Sequence, residues 1–207
     1  VIVPAQFAAL VYFLFSMQEA GLTTMEIMGR IGCMGLLCGT FGINVAHELG
    51  HRQNIWEQWM AKMLLATSLY IHFFIEHNKG HHKNMATPQD PSSARLNEPI
   101  YFFFPRTIIY SYLSAWHIAN DDCKKQERSV IGLHNEMIQA HLIQLLLVTV
   151  IAYFFGGLIT LYFIIAAFIG ILLLETVNYI EHYGLVRKQS SSGSYERTMP
   201  QHSWNSN

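Results

Sequence analysis

Six histidines stand where their spacing could hold metal. His77, His81 and His82 fall within the run Glu76-His77-Asn78-Lys79-Gly80-His81-His82, directly after the apolar stretch 64–75. Positions i and i+4 share a helical face, so His77 and His81 would project together about 6 Å apart along the axis. His82, turned by roughly 100°, would serve a second ion or the flank of the first. His47-Glu48-Leu49-Gly50-His51 repeats the i, i+4 pairing, and Asn178-Tyr179-Ile180-Glu181-His182-Tyr183-Gly184 supplies a third segment. Imidazole suits iron, zinc, copper and nickel. Each segment also brings a carboxylate near a histidine: Glu48, Glu76, and Glu181 with Glu175. A carboxylate that accepts the second ring N–H of a ligating histidine fixes its tautomer and raises its basicity. Glu48, Glu76, Asn178 and Glu181 are therefore expected to support the ligands.

The first segment fits HExxH, in which two histidines bind zinc and the glutamate is the general base of a metalloprotease. That reading needs only one further ligand and leaves His77, His81, His82 and His182 unused. Six histidines exceed one closed tetrahedral zinc site, so the surplus favours two metals with open positions for oxygen chemistry.

The elements that must position these residues are apolar. Of 207 residues, 51% are hydrophobic and only 13% charged, against a usual charged share of about 25%. With a mean hydropathy of +0.22, lipid is the expected solvent for much of the chain. The net charge of −1 argues against a nucleic-acid partner, which calls for a basic face. Three cysteines without CxxC spacing indicate neither a disulfide framework nor a cysteine zinc site.

Residues 1–18, 25–46, 137–155 and 158–177 read as membrane spans, each near the ~20 residues a crossing helix needs. Gly32, Gly35, Gly39 and Gly42 give the second span small residues suited to close helix packing. Gly156-Gly157 reads as a tight reversal. Pro105 and Arg106 are expected to break the aromatic stretches 101–104 and 110–116 into short interfacial pieces. The connections 20–24 and 156–157 carry no Lys or Arg, so the positive-inside rule puts the other regions, with all three histidine segments, in the cytoplasm. If 59–75 also crossed, His47 and His51 would be separated from His77, His81 and His82. That stretch is therefore expected to be interfacial or re-entrant. His72 is read as lining the site without ligating, and His117, His134 and His141 as polar interfacial residues. The chain, starting at Val1 and stopping after a polar segment, is expected to be a fragment of a larger protein.

The segments HELGH, EHNKGHH followed by Met85-Ala86-Thr87-Pro88-Gln89-Asp90-Pro91, and NYIEHYG followed by Leu185 closely resemble those of the membrane-bound alkane 1-monooxygenases, relatives of the membrane fatty-acid desaturases and hydroxylases. The likeness runs through essentially the whole chain, to the closing HSWNSN. It implies an all-α integral membrane helical bundle with a di-iron site at the cytoplasmic ends of the helices, in a bacterial inner membrane. His47, His51, His77, His81, His82 and His182 would take the family's role of iron ligands, with a further histidine box expected downstream. The implied activity inserts one atom of O2 into the terminal methyl of a medium-chain n-alkane to give a 1-alkanol. The electrons would come from rubredoxin and its reductase. The rival readings are an acyl-chain desaturase or hydroxylase, an embedded zinc protease, and a non-enzymatic membrane module that buffers metal.

Overall fold

The opening apolar run forms α1 (Ile2–Ser16), and Thr23 starts α2 (Thr24–Leu37) with a reciprocal cap. The Thr23 hydroxyl accepts from the Glu26 amide, and Glu26 accepts from the Thr23 amide at 2.8 Å. Arg30 snorkels back to this connection, where its guanidinium meets Glu19 and the Ser16 carbonyl. This computed structural model describes residues 1–204. In it, α2 continues through a π-helical segment, Cys38–Asn44, into α3 (Val45–Gly50). There follow α4 (Ile55–Ala66), α5 (His72–Glu76), a second π-helical segment (His77–His81) and α6 (His82–Asn84). Two long elements, α7 (Ile100–Lys125) and α8 (Glu136–His182), complete the core, and a 3-10 turn, Pro200–His202, lies in the tail. The fold is all-helical: among the described residues, β structure is confined to an isolated bridge between Gln189 and Tyr195.

The 47 residues of α8 are two helices. A straight helix of that length would run about 70 Å. Instead, Gln144 donates to the Leu69 carbonyl at 2.8 Å, and the Tyr70 hydroxyl donates to Glu175 at 3.0 Å. Adjacent residues 69 and 70 thus touch both halves, so the chain doubles back at Gly156, whose φ of 82° glycine adopts without a steric penalty. Among the described residues, Thr24–Gly50 and Glu136–His182 are the two stretches long and apolar enough to cross a membrane by length and composition, and α1 is a shorter apolar helix.

The second half of α8 lies against α2. A Cβ on Gly35 would stand 2.6 Å from Ile169 Cγ2, and one on Gly39 would stand 3.0 Å from Leu173 Cδ1. From the other side, a Cβ on Gly170 would stand 2.7 Å from Cys38 Cβ and 2.9 Å from the Gly39 nitrogen. Small residues let these backbones approach, as in lipid-embedded helix pairs. The expected glycine stripe needs one correction. Gly32 meets nothing within 4 Å, and Gly42, inside the π-helical segment, faces Ser68 and Thr67.

The 101–116 region also differs from expectation. It is one continuous helix, α7, running through Pro105. Pro105 has no N–H for its i→i−4 bond, yet the helix continues through it. Arg106 acts as a clamp: its Nε and Nη2 bind the two oxygens of Glu98 at 2.6 and 2.7 Å, and it reaches the carbonyls of Pro91 and Ser93.

The 59–75 stretch is broken at 67–71, where Leu69 has φ 52°. The 12 residues of α4 rise about 18 Å, well short of a ~30 Å hydrocarbon core. No helix in this stretch is long enough to cross. Buried Glu175 ties the region together by accepting from Tyr70, from Thr107 at 2.9 Å and from Asn178 at 3.2 Å.

Candidate metal centre

The three histidine segments converge. His47 lies on α3 and His51 caps its C-terminus, and their Nε2 atoms are 2.9 Å apart. His51 Nε2 is 3.4 Å from His77 Nε2, which is 3.1 Å from His82 Nε2. The last approach depends on local backbone. In an α-helix, residues 77 and 82 would stand about 140° apart. Here the His82 amide donates to the His77 carbonyl five residues back, and the wider π-helical turn brings both rings to one face. Gly80 leaves room for this turn, since a Cβ there would lie 2.6 Å from Glu76 Oε1.

His81 and His182 form the second part of the cluster. Their ring centroids are 4.9 Å apart, and His81 stacks on His77 at 5.1 Å. His81 Nδ1 donates to Asp90 Oδ2 at 3.0 Å, and His182 Nδ1 donates to the His202 carbonyl at 3.3 Å. In both rings the lone pair is thereby assigned to Nε2.

This donor set fits metal. An imidazole Nε2 offers one in-plane position, either a proton or a lone pair. His51 Nε2 and His77 Nε2 each face two other Nε2 atoms, which one position cannot serve. A shared cation satisfies every ring at once. Ligand atoms of His47, His51 and His77 all lie within 4.8 Å of one another. Burial, followed by the neighbouring His81, His47, His82 and His51 rings, holds His77 well below its ordinary pKa, so the ring is neutral and able to ligate.

The carboxylates are arranged differently from the sequence expectation. Glu48 faces solvent, and its Oε1 binds Arg52 at 2.8 Å rather than a histidine. Glu76 is buried and reaches Ser114 at 3.5 Å, not an imidazole. Burial, with Asp90 adding, pushes its carboxyl up to about 8. Asn178 donates to Glu175. Glu181 holds the tail: it accepts from the Ser203 hydroxyl at 2.8 Å, and its carbonyl accepts from the Trp204 amide at 2.9 Å.

A carboxylate that does meet a ring of the cluster is Asp90, whose side chain is fully buried. Ser93 Oγ donates to it at 2.5 Å and the Ser92 amide at 3.1 Å. Burial works against its charge, but His81 and these donors outweigh burial and hold the carboxyl below its ordinary value. The signal available in sequence was the tight Asp90-Pro91-Ser92-Ser93 turn after the second box. His72 is outside the cluster, packed on Tyr70 and Tyr112.

Residues 28–207 match a family model described as fatty acid desaturase. Among curated proteins, the alkane 1-monooxygenase of Pseudomonas putida is 39% identical over 205 residues, covering 99% of this chain and 51% of that protein. Alkane 1-monooxygenase 1 of Pseudomonas aeruginosa is 42% identical over 183 residues, 87% of this chain and 48% of that protein. A more distant relative is the xylene/toluene monooxygenase hydroxylase component XylM of Pseudomonas putida, 27% identical over 181 residues, 87% of this chain and 48% of that protein. The chain spans about half the length of the curated relatives it matches.

Proposed function

The chain belongs to the fatty acid desaturase family, and from that premise we propose that it forms the metal-holding part of a membrane monooxygenase that hydroxylates the terminal methyl of medium-chain n-alkanes. O2 is the co-substrate, two non-haem irons the cofactor and rubredoxin the electron donor. The observation that carries the reading is the meeting of six imidazoles from three separate segments, more than one closed zinc site uses.

Bound iron would supply O2 activation and the oxidising power needed at an unactivated C–H bond. The chain's own residues provide the rest. His47, His51, His77, His81, His82 and His182 are the ligands. Asp90 and the His202 carbonyl orient His81 and His182 by holding their Nδ1 protons. His77 and His81 are buried, which keeps bulk water from the rings. The apolar stretches Thr24–Gly50 and Glu136–His182 are the membrane anchors, with residues 1–18, 25–46, 137–155 and 158–177 as spans. The site then sits at the cytoplasmic ends of these helices in a bacterial inner membrane, where an apolar substrate enters sideways from lipid.

A desaturase reading is favoured by the description of the matching family, and product analysis divides the two. The protease reading is disfavoured by Glu48, which binds Arg52 in solvent instead of standing beside a metal-bound water. The test is metal content together with turnover of octane in membranes supplied with reduced rubredoxin. About two irons per chain and 1-octanol are expected. One zinc per chain, or an alkene product, overturns the hydroxylase assignment.

A further inference from the structure

The rings beside the candidate metal centre continue away from it in an unbroken line. His77 stacks on Phe73 with centroids 4.8 Å apart, and Phe73 stacks on Tyr70 at 5.8 Å. Tyr70 meets His72 edge-on at 4.5 Å, and His72 meets Tyr112 at 5.3 Å. Tyr112 and Trp116, one turn apart on α7, both contact His141 on the first half of α8, at 5.7 and 5.5 Å. The line starts at buried His77 and ends at exposed His141.

Two features exceed what packing requires. Both tyrosines aim their phenol at a base. The Tyr70 hydroxyl donates to the Glu175 carboxylate at 3.0 Å. The Tyr112 hydroxyl donates to His141 Nε2 at 3.0 Å, because His141 Nδ1 gives its own proton to the Met137 carbonyl at 2.6 Å. Between them, His72 is buried, and its Nε2 has no hydrogen-bond partner. Burying such a polar atom unpaired costs free energy that a phenyl ring in the same place would avoid.

We propose that Tyr70, His72 and Tyr112, with Trp116 at the outer end, form a relay that drains oxidising equivalents from the centre when O2 is consumed with no substrate bound. The inference rests on the oxygenase reading above. Tyr70 gives one electron through Phe73 and His77 to the oxidised centre, and its phenolic proton goes to Glu175. Tyr112 then gives one electron through His72 to the Tyr70 radical, which recovers its proton from Glu175, while the Tyr112 proton passes to His141 Nε2. A soluble thiol supplies one electron to the Tyr112 radical and is itself oxidised by one electron, and His141 returns the proton. The direction follows from phenol chemistry: tyrosine yields an electron only to a strong oxidant, so electrons from a low-potential donor would not use this route.

The experiment uses iron-loaded protein in membranes with O2 and reduced rubredoxin, with and without octane. Frozen samples are read by electron paramagnetic resonance, and peptides are mapped by mass spectrometry for oxidised Tyr and Trp. A tyrosyl radical and oxidation at Tyr112 or Trp116 are expected without octane, and octane suppresses both. In Tyr112→Phe the radical at the exposed end is lost and inactivation without octane is faster, while octane hydroxylation keeps its wild-type rate. Tyr70→Phe loses the radical as well. Protein that hydroxylates octane but forms no radical in the octane-free sample, or a radical unchanged in both variants, overturns the relay alone. Absence of O2 consumption overturns the oxygenase reading and the relay with it.

Discussion

His81 and Asp90, nine residues apart and both buried, are joined by an Nδ1–H···Oδ2 hydrogen bond of 3.0 Å. The Ser92 amide and Ser93 hydroxyl hold the carboxylate in place, so the ring cannot rotate without breaking a three-donor arrangement. Asp90→Ala should therefore lower iron affinity by about 10–100-fold, the usual cost of losing such a partner. Competition with a chelator measures it. Unchanged affinity would show that His81 needs no orienting group.

His51→Ala and His81→Ala should each abolish turnover and reduce bound iron, since each removes a ring from the convergent set. His134 is exposed on the turn before α8, and His134→Ala should leave both quantities at wild-type values. Equal losses in all three would point to general misfolding and remove support for the ligand assignment.

Gly170→Ala should loosen the contact between α2 and the second half of α8. Its new methyl would meet Cys38 Cβ at 2.7 Å and the Gly39 nitrogen at 2.9 Å, and a backbone atom cannot step aside. A destabilisation of roughly 1–3 kcal/mol is the usual cost of overpacking. Thermal unfolding in detergent reads it, with Gly32→Ala, which meets nothing within 4 Å, as the neutral control. Equal stability of the two variants would contradict the close approach.

Asn54→Cys and Asn84→Cys, in a background where exposed Cys33 is replaced, should react with an impermeant thiol reagent from the same side of the membrane. Asn54 precedes α4 and Asn84 ends α6, so the pair brackets the broken stretch between the first two histidine boxes. Labelling from opposite sides would separate the boxes and sink the shared site.

The sequence by itself was enough to single out the six histidines, because i, i+4 spacing and placement at the ends of apolar runs are local properties. The reversal at Gly156 was equally legible, since a glycine pair between two apolar runs has few other uses. The fate of 101–116 was not, because a proline near a helix start is tolerated and only Glu98 reveals Arg106 as a clamp. Nor could spacing assign the carboxylates. Glu48 adjoins a histidine in the chain, yet the helix turns it toward Arg52, whereas Asp90 reaches His81 by a turn whose closure depends on two serines. Tertiary structure decided His82 as well: an α-helical reading turns it away from His77, and the π-helical turn brings it back to 3.1 Å. Sequence periodicity reports which face a residue takes in an ideal helix. Which residue on another element it meets is set by backbone departures from that ideal and by packing over long separations.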